Sequence, residues 1–106
     1  MQTLTYTFSA TQPASRAVHI GVVGSGDLEI LLQPPADSDP TDSATVRVRT
    51  SVNGFDTVWR DVLTRFFART ALSGRWELND FGATPGVVTL RLRQAYESAI
   101  AEGHPS

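Results

Sequence analysis

At Asn53-Gly54 the spacing of apolar residues changes from every second position to a period of about 3.6, which restricts the chain to folds that hold both sheet and helix. Downstream of the switch, Phe55, Val58, Trp59, Val62, Leu63, Phe66 and Phe67 form one helical stripe, with Asp56, Arg60, Asp61, Thr64 and Arg65 opposite. The ends agree with the stripe. Asn53 is the expected N-cap, Asp56 stands in the first turn, Arg69 lies near the last, and Ser73-Gly74 supplies a stop.

Upstream of the switch the chain reads as strands. Leu4, Tyr6 and Phe8 alternate with threonines, the mark of a strand with one face on a core. Ser9 to Ser15 is a connection. Arg16 to Val23 is apolar on both faces, as a central strand would be, and after Gly24-Ser25-Gly26-Asp27 alternation resumes with Leu28, Ile30 and Leu32. Pro34 to Ala44, with three prolines and three aspartates, reads as a mobile surface loop without regular structure. Val46, Val48 and Thr50 then oppose Arg47 and Arg49 in a strand with a charged outer face.

Beyond the helix, Arg75 to Phe81 reads as a short strand, with Trp76 and Leu78 on one face. Thr84 can then cap, and Pro85 open, a last helix through about Ala101, the favoured reading, although Val87, Val88, Leu90 and Leu92 could also begin as a strand. The order β-β-β-β-α-β-α predicts an α+β fold, a largely antiparallel sheet with both helices packed on one face. At 106 residues and 41% hydrophobic the chain is one domain, 1–106, able to bury a core of its own.

Reactive side chains are few. All nine basic residues are arginine, cysteine and lysine are absent, and the histidines are His19 and His104. That inventory excludes a thiol nucleophile, a Schiff-base lysine, a cysteine zinc site and a disulfide framework. The net charge of -2 gives no general attraction to nucleic acid or an anionic membrane. No apolar run reaches membrane-spanning length, and Met1 to Phe8 lacks the pattern of a signal peptide, so the expected location is cytoplasmic.

Ser25 is the one hydroxyl set between glycines at a predicted turn, where its surroundings are open. A serine in a hairpin is the plain reading. A hydrolase elbow would need glycine where Val23 and Asp27 stand, and a base from His19 or His104. Gly21 to Gly26 fits neither nucleotide-binding fingerprint, and a strand follows it instead of a helix. The pairs Arg47/Arg49 and Arg91/Arg93 could clamp a partner's phosphates or carboxylates, or simply be solvated faces. Carboxylates gather only in the loop from Asp37 to Asp42, and no metal set is formed.

Three segments taken together carry a family likeness: Val22-Val23-Gly24-Ser25-Gly26-Asp27-Leu28-Glu29-Ile30, Thr50-Ser51-Val52-Asn53-Gly54, and Asn79 to Val88 with its Asn-Asp-Phe-Gly-Ala-Thr-Pro-Gly run. In order and spacing the chain resembles the acyl carrier (delta) subunit of bacterial biotin-independent malonate decarboxylase, and more loosely the acyl carrier (gamma) subunit of citrate lyase. Ordinary phosphopantetheine carriers are helical bundles with Asp-Ser-Leu at a helix start, a pattern this chain lacks.

The resemblance implies a phosphoribosyl-dephospho-coenzyme A prosthetic group joined to Ser25 by a phosphodiester, with Gly24 and Gly26 giving clearance. Asp27 flanks the site, either touching the modifying enzyme or serving as an ordinary turn carboxylate. It further implies a non-catalytic carrier whose arm bears acetyl and malonyl thioesters while malonate is decarboxylated to acetate and CO2. The implied partners are the acyl-transferase (alpha) and decarboxylase (beta, gamma) subunits, a prosthetic-group transferase and a malonyl transferase, with no metal, nucleic acid or membrane. Two other readings compete: a cofactor-free interaction module using the Arg47/Arg49 face, and a stand-alone serine hydrolase.

Overall fold

The computed structural model describes residues 2–39 and 42–100. Its elements are β1 (Gln2–Ser9), β2 (Gln12–Pro13), β3 (Val18–Ile20), β4 (Leu28–Gln33), β5 (Ser43–Thr50), α1 (Asp56–Arg69), β6 (Leu72–Asp80) and α2 (Pro85–Ile100). The sheet runs β1-β5-β6-β4-β3, antiparallel at every step except β5 against β6, with β2 added parallel to the start of β6. A parallel pair needs a crossover, and α1 is that crossover. The α+β class, the order of elements and the largely antiparallel sheet agree with the sequence reading.

Alternation decides which face is covered. Leu28, Ile30 and Leu32 of β4, Val46 and Val48 of β5, and Trp76 and Leu78 of β6 are buried on one side. There they meet Trp59, Leu63 and Phe67 of α1 and Val88, Leu92, Ala95 and Ala99 of α2. Phe8 stacks on Phe67 at 4.8 Å, and Phe66 and Phe67 meet Trp76 edge-on at 5.6 and 5.4 Å. The opposite face is polar, with Arg47 and Arg49 exposed as their alternation predicts. Arg47 lies 3.5 Å from Glu77 there, an exposed pair of the kind worth little.

Several expectations are corrected. Within the stretch read as a connection, Gln12–Pro13 forms a short strand, with the Gln12 amide donating to the Ala71 carbonyl and the following Ala14 amide to the Ser73 carbonyl. β3 spans three residues instead of Arg16 to Val23, and it lies at the sheet edge, not the centre. Pairing stops after Ile20 because Gly21 takes φ +78° under the Leu28 carbonyl, where a Cβ would come within 2.0 Å of the oxygen.

Ser73-Gly74 does not stop α1. Both residues lie inside β6, and Gly74 is required there because its Cβ would come 2.5 Å from the Gln33 carbonyl on β4. The helix ends instead where Thr70 turns extended, at φ -127° and ψ 116°. Nor does Asn53 cap α1. Gly54 and Phe55 intervene, Phe55 holds the N-cap position, and the Tyr6 hydroxyl on β1 bonds to the Asp56 carbonyl at 3.0 Å. Thr84 does cap α2, its Oγ1 accepting from the Val87 amide at 3.2 Å, with Pro85 as the first helical residue. In the 34–44 loop, Ala36 to Asp39 forms a turn and Ser43–Ala44 already belongs to β5, so part of the loop is regular. Ala101, the expected end of α2, and His104 lie outside the described residues.

Candidate functional site

Ser25 is exposed at the tip of the β3–β4 connection, in a tight turn closed by the Asp27 amide on the Gly24 carbonyl at 3.1 Å. Gly26, third in the turn, has φ +78°, the conformation that makes glycine the natural residue there. Gly24 carries no such demand. Its φ is not positive, and a Cβ there would meet only Val22 Cγ2, at an ordinary 3.7 Å. Of the two glycines that flank Ser25, only Gly26 is thus required by the backbone, and the space beside it is open for 4 Å.

The turn is anchored from two sides. The Gly26 amide donates to the Phe81 carbonyl at 2.8 Å, and the Phe81 amide donates to the Asp27 carbonyl at 3.1 Å, so the turn is tied to the chain leaving β6. The Asp27 carboxylate accepts from Arg91 of α2 through Nε at 2.9 Å and a terminal nitrogen at 3.0 Å, and from the Leu28 amide at 2.7 Å. The hydrogen bonds from Arg91, with those from backbone amides, hold the Asp27 carboxyl below its usual range against the opposing effect of desolvation. Asp27 is therefore a structural anchor of the turn, and Arg91 is engaged inside the molecule instead of standing free with Arg93 as a clamp.

The Ser25 hydroxyl has no hydrogen-bond partner among the described residues. His19 lies on β3, its Nε2 2.9 Å from Glu29 Oε2, and Glu29 also accepts from the Asn79 amide group at 2.9 Å. The histidine is thus bound to the polar sheet face and makes no hydrogen bond to the serine. Arg47 and Arg49 occupy that same face, apart from the turn. Sequence reasoning missed Arg91, Phe81 and Gly21 as parts of the site. Of these only Gly21 carried a sequence cue, a glycine closing an otherwise apolar strand pattern.

Behind the turn, between the N-terminal ends of α1 and α2, an apolar groove of about 370 Å³ opens along Val52, Phe55, Val58, Gly82, Ala83 and Pro85. Among the described residues no three His, Cys, Asp or Glu side chains gather as a metal site, and no helix is long and apolar enough to cross a membrane.

Fold and turn together define a small α+β module that presents an exposed serine on a doubly anchored turn. Comparison with known proteins supplies the family. A family model described as "ACP: Malonate decarboxylase delta subunit (MdcD)" matches residues 15–99, and the chain belongs to that family. It is 48% identical over 100 residues to a malonate decarboxylase acyl carrier protein of Pseudomonas aeruginosa, covering 93% of this chain and 97% of the relative. It is 47% identical over 110 residues to the protein of that name from Stenotrophomonas maltophilia, covering 99% of this chain and 100% of the relative. A chain in the crystal structure of a Pseudomonas malonate decarboxylase hetero-tetramer in complex with malonate superimposes with a TM-score of 0.86 at 42% identity, over 93% of this chain and 99% of that one.

Proposed function

We propose that this chain, as one carrier domain, holds a phosphoribosyl-dephospho-coenzyme A group on Ser25 by a phosphodiester and serves as the non-catalytic carrier of a malonate decarboxylase complex. The exposed, unpartnered Ser25 hydroxyl on the doubly anchored turn is the observation that carries this reading. The residues fit the group: the space beside Gly26 is open, and the Asp27 carboxylate, two residues from the serine, is paired with Arg91, which offsets its charge toward an incoming phosphate. When attached, the group supplies the thiol that the chain itself lacks.

The chain's own part is presentation. Because no base touches the Ser25 hydroxyl, its proton must be taken by a prosthetic-group transferase as the bond from Oγ to phosphorus forms and the donor's leaving group departs. A rigid base with one tethered arm then offers that arm at high effective concentration to successive sites on the acyl-transferase (alpha) and decarboxylase (beta, gamma) subunits and to a malonyl transferase. The hetero-tetramer to which the neighbouring structure belongs supports such partners. A reducing cytoplasm suits a protein whose working group is a free thiol.

The test is intact mass spectrometry of the chain made with its transferase. One adduct of the size of the group, mapped to Ser25 and absent in a folded Ser25→Ala chain, is the expected result. An adduct on another residue, or none, refutes the reading.

A further inference from the structure

Two residues of the α1 apolar stripe stay outside the core. Trp59, Leu63 and Phe67 are buried, yet Phe55 and Val58 at the helix start remain 48% and 42% exposed, and Val52 just before them 37%. Together they form one wall of the groove, with Gly82, Ala83 and Pro85 as the other. The second wall begins beside the serine turn, because Phe81, which exchanges two backbone hydrogen bonds with Gly26 and Asp27, is followed directly by Gly82. From Ser25 to the groove rim is on the order of 10 Å, a few Cα steps. A group tethered at Ser25 therefore has this cleft within reach along the surface of the same molecule.

The groove also has a charge preference. Its walls are carbon, and the ionisable group in its lining is Asp80, 4% exposed, whose oxygens already accept from the Thr50 hydroxyl at 2.8 Å and the Ala83 amide at 2.9 Å. A neutral end group entering the cleft exchanges water for apolar contact. An end group bearing a carboxylate would lose its hydration and face another carboxylate, with no cation in the lining to offset either cost.

Resting on the reading of Ser25 as an attachment point, we infer that this groove is the resting site of the carrier's own arm while its end is uncharged, and that an anionic end leaves it. The protein then shields a free thiol between transfers, and exposes the arm when a carboxylate has been loaded onto it.

The absence of cysteine makes the test clean, because every thiol signal from the modified chain comes from the arm. Full-length chain, shown by intact mass to carry the group, is alkylated with iodoacetamide under native conditions beside the same chain with Val58→Asp. If the arm rests in the groove 70–90% of the time, the unsubstituted chain reacts about 3- to 10-fold more slowly than Val58→Asp. Val58→Asp keeps the fold, since the side chain is partly exposed and an acid suits the first turn of a helix. Phe55→Ala is the second variant, with a smaller loss of protection expected.

Amide NMR completes the test: the carbamidomethylated arm keeps the Gly82, Ala83 and Val58 signals shifted from their positions in Ser25→Ala, whereas the carboxymethylated arm from iodoacetate returns them. Equal alkylation rates in all three chains, or groove signals indifferent to the end charge, overturn the inference and leave the Ser25 reading standing. Val58→Asp that weakens subunit assembly without changing thiol reactivity assigns the groove to a partner and also overturns it. Absence of the adduct removes both the reading and the inference.

Discussion

Asp27 and Arg91, 64 residues apart, meet through two hydrogen bonds of 2.9 and 3.0 Å that fasten the serine turn to α2. The Arg91 fork is itself oriented by Gln94, whose Oε1 accepts at 3.0 Å from the remaining terminal nitrogen. A two-point contact between planar groups fixes orientation as well as distance. The serine beside it is therefore offered from a set direction, although its own hydroxyl makes no hydrogen bond among the described residues.

Arg91→Lys keeps the charge but loses the fork, so the turn should pivot. The expected result is faster hydrogen exchange at the Gly26 and Asp27 amides and slower modification of Ser25, followed by intact mass, with a urea midpoint close to that of the unsubstituted chain. Unchanged exchange at both amides would show that the backbone bonds to Phe81 hold the turn unaided.

Acid should loosen the same contact. The Asp27 carboxyl is held below its usual range in the folded protein, so its contribution is present above the unfolded carboxylate pKa and is lost as pH falls through the folded value. Removing the cation should raise that folded value. A carboxyl NMR titration should therefore place Asp27 lower in the unsubstituted chain than in Arg91→Gln, and the stability gap between the two should close as the pH falls through the acid range.

These contacts also mark the limit of what the residue pattern can reveal. The alternating strands, the α1 stripe, the Thr84-Pro85 start of α2 and the openness of Ser25 follow from local periodicity and turn chemistry, and the structure agrees with each. The Asp27–Arg91 pair is invisible to such reasoning, because nothing near either residue announces a partner on another element. Gly74 misleads for a related reason: a glycine after a helical stripe reads as a helix stop, whereas here the close approach of β4 to β6 requires it. Family likeness selected Ser25 over the plain hairpin reading, which the residues alone leave open.

The glycines around the serine should separate into three classes. Gly24→Ala should change stability by no more than about 0.5 kcal/mol, since only an ordinary contact awaits its Cβ. Gly26→Ala meets open space but must hold a positive φ, which costs about 1–2 kcal/mol. Gly21→Ala combines positive φ with a Cβ driven against the Leu28 carbonyl and should lose about 3 kcal/mol or more. Urea unfolding of the three variants checks the order, and a Gly24→Ala loss as large as that of Gly21→Ala would contradict it.

Asp80 joins the loops around the turn from within. It is nearly buried, and it accepts from the Thr50 hydroxyl at the end of β5 and from the Ala83 amide ahead of α2, while its own carbonyl accepts from the Ser51 amide at 3.1 Å. Asp80→Ala removes both side-chain acceptors and strands the Ala83 amide, at about 1–3 kcal/mol for that unsatisfied donor, while the Thr50 hydroxyl falls back on the Val52 carbonyl at 3.3 Å. Asp80→Asn retains one acceptor, so it should lose less. Thr50→Val should cost less in the Asp80→Ala background than alone, because the Thr50–Asp80 bond is already gone and only the Val52 amide, which donates to Thr50 Oγ1 at 3.1 Å, loses an acceptor. Urea midpoints for the single and double variants test this coupling, and strict additivity of the two substitutions would show that Thr50 and Asp80 act independently.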